Sequence, residues 1–155
     1  MSVLLTLHVV TAILFMGAVM YATSAFPNAA VRAANGDAGS EGIARATHRV
    51  SELYGYISLL VPLLGVTILF TNWSTYSDQY QFHAAILLAA VAWILLLAVI
   101  VPKQKKMVGA LGLLAPGEEE PEDRGADTTK LKKQLSMFSG IFNLLWVITL
   151  VLMFV

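Results

Sequence analysis

A chain of 155 residues that is 57% hydrophobic and only 13% charged, with a mean hydropathy of +0.72, lies far from soluble domains, where about a quarter of residues are charged. There is room for one domain, 1–155, and no segment reads as a separate soluble module. Formal net charge is zero and no nucleic-acid partner is expected, while the lack of cysteine excludes a disulfide framework, a thiolate metal site and a cysteine nucleophile.

The first apolar run, SVLLTLHVVTAILFMGAVMYA, predicts a crossing over about 2–24. It is too long for a signal-peptide core and has no basic stretch before it, although Thr23 and Ala25 leave a small-residue cleavage site as the alternative. His8, Thr11, Phe15, Ala18, Ala22 and Ala25 recur at steps of three and four, so they share one face with small or polar members. Pro27 is expected to end this helix or start a turn. The connection to Thr47 is small, polar and glycine-bearing, part helix and part loop.

The second crossing, 48–71, reads HRVSELYGYISLLVPLLGVTILFT. Ser51, Gly55, Ser58, Pro62 and Gly65 fall on one face, and Pro62 is expected to kink the helix. In lipid, helix association gains nothing from the hydrophobic effect, and small faces that let backbones approach closely hold helices together. This helix is therefore expected at the centre of the bundle, meeting the face that carries Ala18 and Ala22. Asn72 to Gln81 is a short turn whose Trp73, Tyr76 and Tyr80 suit a membrane interface.

The third crossing, 82–102, has a small face at Ala85, Ala89 and Ala92. An opposite surface of Ile86, Leu87, Ala90, Ile94 and Leu97 is left for a partner or lipid. Pro102 and Lys103, Lys105 and Lys106 close it. A polar loop, 103–127, contains GEEEPEDRGAD, expected to be mobile or extended. Asp127 suits the N-cap of a fourth crossing, 128–155, whose Ser136, Gly140 and Asn143 share a face. The fold class is all-α, a four-helix transmembrane bundle without internal repeat.

Arg32, Arg45 and Arg49 lie in the first connection, and Lys103, Lys105, Lys106, Arg124, Lys130, Lys132 and Lys133 in the third. Together these are all ten basic residues of the chain. The positive-inside rule makes both segments cytoplasmic and puts the N-terminus and C-terminus outside. A bacterial plasma membrane is the expected location. Lys103, Lys105, Lys106, Lys130, Lys132 and Lys133 should attract the headgroups of anionic membrane lipids.

Polar groups within the membrane are costly and few. His8, two turns into the first helix, suits either a hydrogen bond to a neighbouring helix, its ordinary role, or ligation of heme iron or a metal. His83 begins the third crossing and would complete a bis-histidine pair, but at 100° per residue it points away from the alanine face. His48, Arg49 and Glu52 form a polar head on the second helix, either an interfacial cap or a proton-handling or headgroup site. Asn143 suits an interhelical hydrogen bond. No phosphate-binding loop, nucleophile elbow, HExxH or paired intramembrane carboxylate occurs, so no enzyme and no cofactor are expected.

The opening LLTLHVVTAILFMG resembles the first helix of small bacterial membrane proteins, among them the copper-resistance D-like group and the membrane protoporphyrinogen oxidase of heme synthesis. These share an early histidine followed by a glycine, here His8 and Gly17. The oxidase-like group implies a basic residue inside the membrane; here every Lys and Arg lies at a loop or helix end, which counts against an enzyme. HRVSELYGYISLLVPLLG and the later VIVPKQKK resemble uncharacterised four-helix membrane proteins common in actinobacteria, over the first three helices. Small multi-pass proteins of this kind also occur there as accessory subunits of the respiratory cytochrome bcc–aa3 supercomplex, and the resemblance implies that role. The expectation is a non-catalytic accessory subunit of a larger membrane complex. The alternative is a heme- or copper-handling protein using His8, and a small transporter is the third reading.

Overall fold

The computed structural model describes residues 3–155, so the expected start at Ser2 lies outside the described residues. It is 84% helix, with no strand among the described residues. Four helices are long and apolar enough to cross a membrane: α1 Val3–Ala34, α2 Ala38–Thr71, α3 Tyr80–Ala110 and α4 Thr128–Leu152. This is a multi-pass membrane architecture. Each helix packs antiparallel on the next, and α4 closes on α1, so the bundle runs up, down, up, down. One end carries the α1–α2 turn, the 111–127 segment and the basic residues; the other carries the start of α1, the end of α4 and the 72–79 link.

The first connection is far shorter than expected. α1 runs through Pro27 to Ala34, and α2 begins ten residues before His48. Only Asn35, Gly36 and Asp37 separate them. Gly36 sits at φ +89°, and Gly36 and Asp37 donate their N–H groups to Ala33 and Arg32 carbonyls at 3.0 and 3.1 Å, closing α1 with a glycine cap. Asp37 then caps α2: one carboxylate oxygen accepts from Gly39 N–H at 3.1 Å, the other from Ser40 Oγ at 2.6 Å.

That Ser40 hydroxyl, with the backbone N–H groups after it, holds the exposed Asp37 carboxyl below the usual carboxylate range. A group with a lowered folded pKa stabilises above its ordinary value and loses that contribution as pH falls through the folded one. We therefore expect the melting temperature in detergent to drop on acidification below about pH 4 by more in the native chain than in Asp37→Ala. Equal slopes in the two proteins would remove the cap from the explanation.

Pro27 does not end α1 because its missing N–H is replaced from outside the helix. A proline leaves the carbonyl four residues earlier, here Thr23, without its partner. Ser139 Oγ of α4 donates to that carbonyl at 2.9 Å, in a fully buried contact.

Pro62 acts differently. α2 breaks at Ser58 and Leu59 and resumes at Leu60. The Ser58 carbonyl, freed by Pro62, accepts from Val61 N–H at 3.0 Å in a tighter turn, while Leu59 N–H turns to Tyr56. This leaves the Gly55 carbonyl open within the bundle. Ser58 Oγ at 2.7 Å and Trp93 Nε1 of α3 at 3.0 Å both donate to it. Neighbouring side chains thus meet the backbone groups that the break releases.

Along α3 the alanine face continues as Leu96 and Ile100 through a wide π-type turn, Leu96–Ile100, just ahead of Pro102. The helix does not stop at 102 as expected; it continues to Ala110 and closes with a second glycine cap, Gly112 at φ +68°. The acidic stretch also departs from expectation. Pro121–Gly125 forms a 3₁₀ turn that folds back on α3, burying Asp123 against Gly109. Asp127 caps α4, its carboxylate accepting from Lys130 N–H at 3.0 Å.

Toward the basic end small residues are buried on both sides of the α1–α2 seam, Ala22, Ala29 and Ala30 on α1 and Ala44, Thr47 and Ser51 on α2, beside larger core members such as Phe26, Met107 and Leu135. Close packing of this kind supplies dispersion contacts, the main attraction left when lipid replaces water. Large apolar side chains such as Ile13, Leu63, Leu87 and Leu144 point outward, where a bilayer would solvate them.

Candidate functional site

Three places collect the residues singled out in the sequence. The first is the α1–α2 seam toward the termini. His8 Nδ1 lies 2.9 Å from the Val61 carbonyl, so the ring is the donor and carries its proton on Nδ1. The imidazole lies over Gly65, where an added Cβ would sit 3.1 Å from Cε1. The missing side chain at Gly65 is what admits the ring. Among the described residues Nε2 has no hydrogen-bond partner. His83 is held elsewhere: its Nδ1 is 3.3 Å from the Gln79 carbonyl, and its ring meets Trp73 edge-on. The two histidines are thus tied to different local partners, and no group of three His, Asp or Glu side chains able to hold a metal occurs among the described residues.

The second place is the bundle interior near the basic end. His48 turns inward rather than pairing with Glu52, which is exposed. Its Nδ1 is 3.4 Å from Gln104 Oε1, and Phe26 covers the ring. Gln104 is completely buried, and among the described residues its Nε2 finds no partner; nor does Ser51 Oγ, also fully buried. Of the α2 small face, Gly55 and Ser58 are buried with Ser51, while Pro62 and Gly65 are half-buried. Gly55 admits α3 closely, since a Cβ there would lie 3.2 Å from Leu96 and Leu97. On α1, Ala22 is buried and Ala18 half-buried.

The third place is the α1–α4 seam, where the small face of α4 is turned differently from what its spacing suggested. Leu131, Leu135, Ser139, Phe142 and Trp146 bury the inner side of α4. Ser136 and Gly140 lie outside, and a Cβ at Gly140 would meet nothing within 4 Å. Asn143 sits at the edge: Nδ2 donates to Ser24 Oγ of α1 at 2.7 Å, while Oδ1 is buried without a partner. Ser24 and, one turn on, Asn28 are exposed beside it. A strip of serine, glycine and asparagine therefore faces outward across α1 and α4.

The six lysines divide. Lys103, Lys106 and Lys130 line one groove between α3 and α4 with Gln134 and Asp127; Lys105, Lys132 and Lys133 do not. Gln104, Trp93 and Ser139 were not singled out by sequence reasoning. A signal for Gln104 did exist, because it continues the stripe Leu96, Ile100 by one more step of four. It was hidden inside a run of lysines read as interfacial.

Comparison of the chain with protein-family models, with curated proteins and with solved structures gives no match.

Proposed function

We propose that the protein is a non-catalytic accessory subunit that docks a larger membrane complex through the outward strip on α1 and α4. One observation carries the reading: Ser24, Asn28, Ser136 and Gly140 face out around the Asn143–Ser24 bond instead of packing within the bundle. Such residues gain little from acyl chains, whereas another helix approaching over Gly140 gains dispersion contacts and, in the exposed Ser24, Asn28 and Ser136, hydrogen-bond partners. The sequence resemblance to small actinobacterial membrane proteins makes a respiratory assembly such as the cytochrome bcc–aa3 supercomplex the first partner to test. Its place would then be the bacterial plasma membrane, with the basic end cytoplasmic and both termini outside.

The test is purification in mild detergent of the native chain and of Gly140→Leu. Open space at Gly140 lets the leucine leave the bundle intact while blocking close approach. Stoichiometric membrane subunits are expected with the native chain and should be lost from the variant. Recovery of the native chain alone, or equal recovery of partners with the variant, refutes the reading.

A second reading rests on His8. The Nδ1 bond to Val61 fixes the ring and leaves Nε2 with its lone pair, the arrangement of a histidine ready to ligate. Absorption spectra of the same preparations decide it: a heme or copper protein would show a Soret or copper band that His8→Ala abolishes, and its absence ends that reading.

A further inference from the structure

The open groove between α3 and α4 at the basic end offers about 580 Å³, a volume within the range of ligand pockets. One wall is the α3 face Ala98, Val99, Pro102, Lys103 and Lys106; Lys130, Leu131 and Gln134 of α4 form the other. Its two ends differ in chemistry. The charged groups cluster toward the loop, while Ala98 and Val99 lie a turn deeper, toward the apolar middle of α3.

The positive charge there is not neutralised by the protein. Lys103 Nζ donates to Gln134 Oε1 at 2.9 Å, a neutral partner. Among the described residues the ammonium groups of Lys106 and Lys130 have no hydrogen bond or ion pair. Asp127 is the one carboxylate on the groove, and one of its oxygens is already engaged as the helix cap. The acidic run close by in sequence does not fill the gap. Glu119 pairs with Arg124 at 3.5 Å, the single ion pair among the described residues. Three lysines against one carboxylate leave a net charge of about +2 beside an apolar wall.

We propose that this groove is a binding site for an anionic phospholipid. The phosphate is held by Lys103, Lys106 and Lys130, and an acyl chain follows Ala98 and Val99 into the membrane. Charge complementarity selects the headgroup. The apolar wall selects a lipid over a free anion, because a soluble phosphate would leave that wall unused. The site stands apart from the α1–α4 strip and does not depend on a docked partner.

Native mass spectrometry of the purified chain, offered phosphatidylglycerol and phosphatidylcholine of equal chain length, tests it. K103Q/K106Q/K130Q removes the groove charge; K105Q/K132Q/K133Q removes the same charge elsewhere. The native chain and the second variant are expected to retain phosphatidylglycerol preferentially, and the groove variant to lose that preference by roughly 10- to 100-fold. An unchanged helical circular-dichroism melt shows that the variants are folded. Equal loss in both variants would reduce the effect to diffuse surface charge and overturn the site. Displacement of the bound lipid by millimolar inorganic phosphate would overturn the lipid assignment.

Discussion

Gly109→Ala is expected to destabilise the basic end of the bundle and release the 111–127 segment. In an ordinary helix interior the change stabilises, since glycine is about 0.8–1.0 kcal/mol worse than alanine. Here a Cβ would sit 2.5 Å from Asp123 Oδ2 and 3.0 Å from Asp123 Cβ and Cγ. Those atoms are not the free end of a long side chain. Asp123 is buried and fixed in the 3₁₀ turn, whose Ala126 N–H donates to its carbonyl at 3.0 Å. The turn must move away, and overpacking of this kind costs about 1–3 kcal/mol, enough to reverse the propensity gain. Limited proteolysis should then cut between Glu118 and Arg124 faster than in the native chain, with a lower melting temperature. Asp123→Gly, which removes every atom named, should bring the double variant back toward native behaviour at α3. A Gly109→Ala protein that is more stable and no easier to cleave would show that the turn does not rest on α3.

The second large effect concerns Pro27 and Ser139. Ser139→Ala leaves the Thr23 carbonyl buried with no donor, because Pro27 cannot supply one. Stranding a buried polar group costs about 1–3 kcal/mol, and measured interhelical bonds in membranes reach about 1.7. In a Pro27→Ala background the new N–H at position 27 takes over the Thr23 carbonyl, and the same Ser139→Ala change should cost little. Unfolding in mixed micelles of the four proteins measures the coupling, expected at about 1 kcal/mol. An equal cost in both backgrounds would mean that Ser139 contributes only by packing. The cycle also separates two roles of Pro27, since its ring is itself buried against the core.

Much of the architecture is legible from local composition. Four apolar runs bounded by Pro, charged residues or polar links specify four crossings, because the bilayer sets helix length and every backbone group must be satisfied within the helix. Helix ends are less legible. The Asn35–Gly36–Asp37 turn contains both a C-terminal glycine and an N-terminal aspartate cap, yet the prolines at 27 and 102 appear to any local rule as stronger stops. At Pro27 the rule fails for a reason 112 residues away in the chain, the hydroxyl of Ser139. At Pro62 the break falls where it should, four residues earlier, and is tolerated because Trp93 reaches the Gly55 carbonyl from α3.

The small faces show the same division. Residue spacing places Ser136, Gly140 and Asn143 on one side of α4, since helical geometry alone decides which side chains share a face. Which side turns inward depends on competition with Leu135, Phe142 and Trp146, whose larger contact area joins the common core and wins the interior. The ten basic residues likewise follow from the sequence as two clusters, but only the antiparallel packing of α3 and α4 brings Lys103, Lys106 and Lys130 to a single groove while leaving Lys105, Lys132 and Lys133 outside it. Local periodicity therefore determined the helices and their faces. The tertiary structure decided which face meets which neighbour, because contact area and hydrogen-bond satisfaction between distant segments enter only once the helices pack.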